Sequence, residues 1–343
     1  MTVDLSTRYL GLELKNPLVA SASPLTGDLN TLRRLEEAGA AAAVMPSLFE
    51  EQIVHDEIEI HRLYEYRSES FAESLSYFPE VLQSSSGPQN YLQRIEEAKQ
   101  TVTIPVIASL NGASPGGWTR YAHDMQEAGA DALELNIYFI PTDAAMTAAD
   151  VERRYVDLVA LVRQSVSIPL AVKIGPNFTA LPHFAQQLAE AGADGLVLFN
   201  RYLEADIDLD ALQIKPDLVL SNRHEARVPL RWIAILRDQL SISLAASSGV
   251  HRWQGAVKLL LAGADVTMMT SALLKNGPDF LRTLLAEMRS WLEEKEYTSI
   301  TQLKGSMSRG NCPDPSALER ANYMKALASF TDDQSLGYGA AQR

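Results

Sequence analysis

Polar side chains with the chemistry to hold a ligand recur at the ends of short apolar runs in this sequence. Asn136, Lys173 and Asn200 each close such a run, and Glu134 stands two residues before the first of them. Alternate residues of a strand point to the same side, so Glu134 and Asn136 would share one face. A covered parallel sheet is apolar on both faces, so a carboxylate and an amide in register need a special interior. The mouth of a parallel barrel, where polar groups meet a ligand, provides one.

Lys173 has three possible roles. It could pair with Glu134 for purely structural reasons, since the two would lie on neighbouring strands. It could be a Schiff-base nucleophile, but that chemistry needs burial or a second cation to suppress the ammonium charge, and the sequence shows no second cation nearby. It could also stabilise the negative charge of a reduced cofactor ring. The third role is favoured, because the small residues at 20–23 would let a flat ring lie close.

Asn136 and Asn200 have two readings. A single asparagine is commonly a turn or cap residue, because its side chain bonds to nearby backbone. Two asparagines at strand ends instead favour a shared role, since amides can bind the polar edge of a ring without titrating. Asn111, which follows another apolar run, extends this set.

The last two apolar runs end in small residues that predict a phosphate site. The first is followed by Ser248, Gly249 and Val250, and the second by Thr270 and Ser271. Backbone amides at these ends could converge on an anion, helped by the helices that follow. Two ordinary turns are the alternative. In a barrel this corner is a frequent phosphate position, which favours the anion site.

Two internal repeats indicate the elements that position these residues. The repeat Ala-Gly-Ala, a helix end followed by a turn and a strand, begins at positions 38, 128, 191 and 262, and a turn feeding an apolar strand recurs at 102–110, 166–174 and 240–248. Interleaved, they predict strands beginning near positions 18, 40, 104, 132, 169, 195, 243 and 265. Helices are expected at 28–37, 91–100, 146–164, 181–191, 229–239, 253–262 and 278–294. Eight such units predict an α/β fold, a (β/α)8 TIM barrel. An open doubly wound sheet is the alternative, but its glycine fingerprint after the first strand is missing.

The predicted barrel occupies about 16–294 of a single domain that spans 1–343, preceded by a short ribbon at 5–14. A long loop after the second strand, 47–88, has the length of a lid, a binding segment or a disordered region. An insertion at 201–227 follows strand six, and a tail begins at 295.

Composition limits the partners. A net charge of −13 argues against nucleic acid or an anionic membrane surface, because phosphates would repel it. Cys312 is the single cysteine, so no internal disulfide, iron–sulfur cluster or cysteine-rich zinc site is expected, and the histidines form no ligand cluster. No signal peptide and no apolar run of roughly 20 residues is recognisable, so a cytoplasmic protein with no bound metal is expected.

The ordered set of strand ends resembles the dihydroorotate dehydrogenase family, soluble class, over about 5–290. The residues that carry the resemblance lie at 16–23, 134–136, 172–173, 199–200, 248–250 and 270–271. That family is an FMN-containing (β/α)8 barrel that oxidises a CH–CH bond of a pyrimidine precursor. The resemblance implies FMN, a small-molecule substrate and a role in pyrimidine biosynthesis. A redox partner protein is also expected, because one cysteine cannot hold a cluster and no dinucleotide fingerprint is present, and a homodimer is expected as well.

Individual residues acquire roles through this resemblance. Ala22 and Ser23 would pack near the flavin, Asn111, Asn136 and Asn200 would bind its edge or the substrate, and Lys173 would hold the N1–C2 region. The residues implied to cradle the ribityl phosphate are Ser248, Gly249, Val250, Thr270 and Ser271.

The sequence departs from the family after the fourth strand. Where the family has Asn-Leu-Ser-Cys-Pro-Asn, or serine in place of the cysteine, this chain reads Asn-Ile-Tyr-Phe-Ile-Pro over 136–141. Phe139 therefore takes the place of the catalytic base and has no proton to exchange. Tyr138 is adjacent, but an ordinary tyrosine pKa of about 10 makes it a better acid than base. Pro46 stands where the family has a lysine that touches flavin and substrate.

Three functions remain open from the sequence. The favoured one is an FMN-dependent oxidoreductase acting on a CH–CH bond, with Lys173 and Tyr138 as its candidate catalytic residues and Cys312 or the 47–88 loop as substitutes for the base. The second is a non-redox, phosphate-binding lyase or aldolase that uses Lys173 covalently. The third is a non-catalytic flavin-binding or interaction scaffold.

Overall fold

The computed structural model describes residues 3–52, 87–112, 118–202, 204–215, 217–319 and 323. The chain opens with an antiparallel hairpin of β1 (Thr7–Tyr9) and β2 (Leu12–Leu14). Leu10 and Gly11 form its two-residue turn with φ of 51° and 78°. Positive φ at both central residues suits a tight hairpin, and glycine adopts it without a steric penalty.

Eight parallel strands then close into a barrel. Their bounds are β3 (Leu18–Ala20), β4 (Ala42–Val44), β6 (Val106–Gly112), β7 (Ala132–Ile137), β8 (Leu170–Ile174), β9 (Gly195–Leu198), β12 (Ser243–Ala246) and β13 (Val266–Met269). Each pairs with the next in chain order, and β13 pairs with β3 to complete the circle. A two-residue strand, β5 (Leu48–Phe49), extends the pairing along the end of β6.

Helices cover the outside of the barrel. They are α1 (Pro24–Gly27), α2 (Leu29–Ala38), α3 (Pro88–Thr101), α4 (Trp118–Glu127), α5 (Ala148–Ser165), α6 (Leu181–Glu190), α7 (Arg227–Leu236), α8 (Trp253–Ala262), α9 (Ser271–Asn276), α10 (Phe280–Glu294) and α11 (Ile300–Leu303). The starts are capped where the sequence supplies oxygens: Asp28 accepts from the Thr31 amide, and Thr147 forms a reciprocal capping box with Asp150. Among the described residues, no helix is long and apolar enough to cross a bilayer.

The hairpin closes the amino-terminal mouth of the barrel. Tyr9, Leu10 and Leu14 belong to the same buried cluster as inward-facing strand residues such as Val19 and Met268. The Leu10 amide donates to Ser243 Oγ at 2.9 Å, at the first residue of β12. Because this end is filled, the opposite, carboxyl-terminal mouth is the one left for a ligand.

The tail packs against the barrel from outside. The amides of Gly305, Met307 and Arg309 donate to carbonyls of α7 and α8, and Lys304 Nζ lies 2.6 Å from the buried carboxylate of Asp265. A short 3₁₀ helix, Pro315–Leu318, follows. This part of the tail is therefore held by both backbone and ionic contacts.

The barrel prediction is confirmed, and the structure shifts several element bounds. Strand one ends at Ala20 because the chain turns into α1 there. The helix expected at 278–294 is α10, and the shorter helix α9 precedes it, ending before Gly277. The insertion after strand six contains a hairpin of β10 (Asp206–Asp208) and β11 (Gln213–Lys215). Most of the 47–88 loop lies outside the described residues. The single-domain assignment to 1–343 stays a prediction.

Candidate active site at the carboxyl end of the barrel

A cavity of about 260 Å³ opens at the carboxyl-terminal mouth of the barrel. The walls are the loops after β3, β9, β12 and β13, together with strand residues of β8 and β13. The sequence-predicted residues that line it are Ala22, Ser23, Lys173, Asn200, Ser248, Gly249, Val250, Thr270 and Ser271. Strand ends far apart in the chain thus meet at one site, as the barrel predicts.

Three predicted polar residues lie level with one another on neighbouring strands. Asn111 is in register with Asn136, and Asn136 with Lys173. Asn200 Nδ2 donates to Asn136 Oδ1 over 2.7 Å, which joins the loop after β9 to β7. Asn136 is buried, so this amide pair satisfies polar groups that water reaches poorly. The amide groups of Asn136 and Asn200 that this bond does not use are uncharged hydrogen-bonding groups.

Lys173 and Glu134 form a buried pair. Lys173 Nζ lies 3.5 Å from Glu134 Oε1, and the two side chains are 10% and 0% exposed. The second carboxylate oxygen, Oε2, has no hydrogen-bond partner among the described residues. This single long contact keeps Lys173 next to the carboxylate. It does not use all three N–H donors of the ammonium group. Lys173 also lines the cavity, so an ammonium group is available to a ligand there.

The turn after β12 has the backbone of an anion cradle. Ser248 and Gly249 both have positive φ, 77° and 76°. A Cβ at Gly249 would fall on the backbone nitrogen of Ala226, so only glycine fits. Consecutive amides in such a conformation turn toward the same side and favour an anion. Ser271 begins α9 beside this turn.

The insertion after strand six supplies lining residues that the sequence had not indicated. Arg201, Leu218, Leu220 and Ser221 all line the cavity. Arg201 Nε lies 2.9 Å from Glu225 Oε2, and the Ser221 amide donates to Ser271 Oγ at 3.1 Å. The available signal was position alone: the insertion directly follows Asn200, and loops after barrel strands build the site.

His251 borders this part of the site. Its Nε2 lies 3.0 Å from Ser221 Oγ, and Lys275 Nζ donates to the Ser221 carbonyl at 3.2 Å. Partial burial lowers the pKa of His251, and the Lys275 ammonium lowers it further. The neutral imidazole is therefore favoured, which is a structural role rather than that of a cation for a ligand.

Asn111, Asn136 and Tyr138 do not line the cavity. Tyr138 packs edge-on against Tyr202, with ring centroids 4.8 Å apart. Phe139, the next residue, is half-buried, and the guanidinium of Arg154 lies 4.2 Å from its ring centroid. The two asparagines act behind the cavity wall, through Asn200 and the strand register.

A second cavity of about 480 Å³ adjoins the first. The two share Phe199, Asn200, Arg201 and Ser248, and Tyr202 and Asn177 line the second one only. Burial raises the pKa of Tyr202, so its hydroxyl stays protonated at neutral pH. The four shared residues place the two cavities side by side at the barrel mouth.

The closed barrel with a lysine, amides and an anion cradle at its carboxyl mouth places the chain among (β/α)8 proteins with a ligand site on that face. Within that class, the chain belongs to the dihydroorotate dehydrogenase family, whose family model, described as dihydroorotate dehydrogenase, matches residues 81–292, more than half of its length.

Curated relatives agree with this assignment. The catalytic subunit of dihydroorotate dehydrogenase B (NAD(+)) from Methanosarcina acetivorans is 29% identical over 301 residues, which cover 86% of this chain and 93% of that protein. A putative dihydroorotate dehydrogenase A (fumarate) from Aeropyrum pernix is 30% identical over 225 residues, 63% of this chain and 71% of the relative. The corresponding catalytic subunit from Methanothermobacter thermautotrophicus is 25% identical over 312 residues, with 88% and 97% covered.

Proposed function

We propose that this protein is an FMN-dependent oxidoreductase that acts on a CH–CH bond of a small molecule. The observation that carries the proposal is that Lys173 and the turn at 248–250 line one cavity at the barrel mouth. Family membership supports the same reading, since the curated relatives bear the names of dehydrogenases.

The residues present fit a flavin. The walls next to Lys173 include Ser21, Ala22 and Ser23, whose short side chains leave room for a flat ring. The Asn200 amide, which lines the cavity and is held in place by Asn136 behind it, suits the hydrogen-bonding side of such a ring. When bound, FMN would supply two-electron chemistry, taking up or giving a hydride at N5. Lys173 would hold the N1–C2 region by its positive charge.

The phosphate of FMN fits the corner between the last two strands. Ser248, Gly249 and Val250 would offer backbone amides from one side, and Thr270 and Ser271 from the other. The backbone turn with positive φ at Ser248 and Gly249, which lines the cavity, is the feature of this structure that supports the assignment. Backbone N–H groups at this corner would stabilise the negative charge of the phosphate.

Substrate chemistry is proposed to differ from dihydroorotate oxidation. Phe139 would stand at the position of the family's base and cannot take a proton, and the phenol of Tyr138 is better suited to donating one. These residues fit a substrate whose oxidation needs no base at position 139. They also fit a substrate that is reduced while Tyr138 donates the proton. Cys312 is an unsuitable substitute, because it lies in the tail beside Arg309.

Covalent catalysis by Lys173 is the less favoured activity. A carboxylate neighbour stabilises an ammonium charge, whereas Schiff-base chemistry needs a neutral amine, and Glu134 is that neighbour. A non-catalytic flavin-binding or interaction scaffold is the other alternative.

Partners follow from the redox proposal. With Cys312 the single cysteine, electrons would pass to a separate redox partner protein in the cytoplasm. A homodimer is proposed to use the exposed apolar hairpin of the insertion, where Ile207 and Ile214 form a cross-strand pair with 58% and 70% exposure. Apolar surface of this kind marks subunit contacts.

A visible absorption spectrum of the purified protein, followed by anaerobic titration with dihydroorotate, tests the proposal. Oxidised-flavin bands are expected, with little or no bleaching by dihydroorotate. A colourless protein that takes up no added FMN contradicts the flavin assignment. Borohydride trapping of a substrate adduct on Lys173 would instead establish the lyase or aldolase. A protein that binds flavin but accepts electrons from no donor would support the scaffold.

A further inference from the structure

A third cavity, of about 320 Å³, lies behind the turn at 248–250 and is here called the basic cavity. Its lining residues are Arg223, His224, Ala226, Arg227, Leu230, Gly249, Arg252, Gln254, Gly255 and Lys258. Four of these are cations and none is a carboxylate. The cavity thus concentrates positive charge in a chain whose net charge is −13.

The four cations have no carboxylate partner among the described residues. Elsewhere in the described chain, twelve lysines and arginines lie within ion-pair distance of an acid. In the basic cavity, Arg223 makes only a 3.5 Å contact with His224. Arg231, one helical turn beyond Arg227, adds a fifth exposed cation without an acid. Such a cluster carries mutual repulsion that an anionic ligand would relieve.

Two helix starts add to the positive potential. Helices α7 and α8, of ten residues each, begin at Arg227 and Trp253, and neither N-cap side chain accepts a hydrogen bond from its helix. Gln254 and Gly255 lie in the first turn of α8 and line the cavity. At α7 the first amides are already bonded, since Arg227 N and Val228 N donate to the carbonyls of His224 and Glu225. The amides that begin α8, and the positive dipole ends of both helices, favour negative charge and so act in the same direction as the cations.

We propose that the basic cavity binds a small polyphosphate, a molecule that carries at least two linked phosphoryl groups. Arginine forks match phosphate oxygens in pairs, and three arginines in one concave site suit more than one phosphoryl group. The volume is that of a small-ligand site. An acidic protein fits less well. Such a partner is larger than the Debye length of about 8 Å, so parts of it would lie against the negatively charged remainder of the chain and not against the cations.

Gly249 lines both the basic cavity and the candidate active site. The turn that would hold the FMN phosphate is therefore the wall between two sites of like chemistry. The inference does not rest on the proposed function, because the cations of the basic cavity do not line the active-site cavity.

Calorimetric titration of the full-length protein with inorganic pyrophosphate and with tripolyphosphate tests the inference, both before and after saturation with FMN. Binding with a one-to-one stoichiometry is expected, tighter for tripolyphosphate, weaker as salt is raised, and retained when FMN is present. The double variant Arg227→Gln/Arg252→Gln should weaken it at least about tenfold, since two charge-assisted contacts are lost. Arg33→Gln, an exposed cation on α2, is the matched control and should change nothing.

Other results would overturn the inference. If FMN displaces pyrophosphate, pyrophosphate binds at another site. The same conclusion follows if the double variant binds pyrophosphate as tightly as the parent protein does. If the protein binds poly-glutamate but not pyrophosphate, the basic cavity is part of a contact surface for an acidic protein. If the double variant does not fold, Lys258→Gln serves in its place, with an expected loss of severalfold. Failure here leaves the flavin spectrum unaffected, so the two proposals fail separately.

Discussion

The Lys173 ammonium lies 3.5 Å from Glu134 Oε1, while Glu134 Oε2 has no hydrogen-bond partner among the described residues. A buried carboxylate held this loosely balances the positive charge of Lys173 without occupying all its donors. The charge that a ligand at the barrel mouth experiences is therefore the sum of both groups. Removing either one changes the field at the site in a predictable direction.

Glu134→Gln should raise the midpoint potential of bound FMN. The substitution keeps the shape but removes a negative charge behind Lys173, so added electrons are stabilised, by roughly tens of millivolts at protein-like dielectric. Potentiometric titration of the parent and variant proteins measures the shift. Lys173→Met should move the potential the other way and weaken FMN binding. A potential that stays constant in both variants would mean that neither charge acts on the flavin.

Asn200→Ala should weaken FMN binding by about tenfold, since it removes one hydrogen-bonding group from the site and leaves the buried Asn136 Oδ1 without its donor. Asn200→Asp should be worse, because two oxygens would then face each other. Equilibrium binding followed by flavin fluorescence gives the affinities. Asn311→Ala removes a comparable amide–carbonyl bond of 2.9 Å in the tail and is the control. Equal losses in Asn200→Ala and the control would deny the amide pair a role at the site.

The repeat structure of the sequence was sufficient to predict the barrel. Each of the four Ala-Gly-Ala motifs marks a helix end and a strand start, and the second repeat supplies strands between them. Eight strand–helix units in this order admit few topologies. The strand-end rule then placed Lys173, Asn200 and Gly249 at one mouth, where the structure has them. Prediction worked there because barrel geometry fixes where strand ends meet, whatever residues they carry.

The insertion was the part that the sequence could not resolve. Leu218, Leu220 and Ser221 line the cavity, yet their segment has neither strand nor helix periodicity to reveal its direction. Contacts across the chain, such as the Ser221 amide with Ser271 Oγ, decide its course, and no local pattern reports them. No local pattern predicts the role of Asn136 either. It acts through Asn200, by a side-chain contact between β7 and the loop after β9.

Gly249→Ala should destabilise the protein and abolish tight FMN binding. Its φ of 76° already disfavours a side chain, and the new Cβ would collide with backbone at Ala226 and approach the Glu225 carbonyl carbon to 2.9 Å. Gly11→Ala, in the turn of the first hairpin, is the control, because its φ is 78° but nothing lies within 4 Å of its Cβ position. The control should cost only about 1 kcal/mol, the conformational term alone. Urea unfolding and flavin content separate the two effects, and equal costs would refute the steric account.

His251 should make the protein less stable as the pH falls through about 6.5. Its folded-state pKa is lowered by partial burial and by Lys275, effects that outweigh the raising influence of Ser221 and Glu225. Between the folded and unfolded pKa values the unfolded state binds more protons, so acidification favours unfolding until the folded state also protonates. His251→Gln should flatten this part of the stability profile in urea titrations. His183→Gln, an exposed histidine, should leave it unchanged, and a profile insensitive to both would contradict the assignment.

Asp265→Asn should loosen the tail from the barrel. The buried carboxylate lies 2.6 Å from Lys304 Nζ and 3.3 Å from an Arg237 nitrogen, and accepts from the Leu244 amide at 2.8 Å. Its loss leaves two cations facing a neutral group, at a cost of about 3 kcal/mol.

The exposed pair of Glu294 with Lys295 provides the comparison, and Glu294→Gln should cost no more than about 1 kcal/mol. Hydrogen exchange locates the effect. In the Asp265 variant, the amides of Gly305, Met307 and Arg309, which donate to carbonyls of α7 and α8, should exchange faster. Unchanged protection at these three amides would show that the backbone contacts hold the tail without the ionic ones.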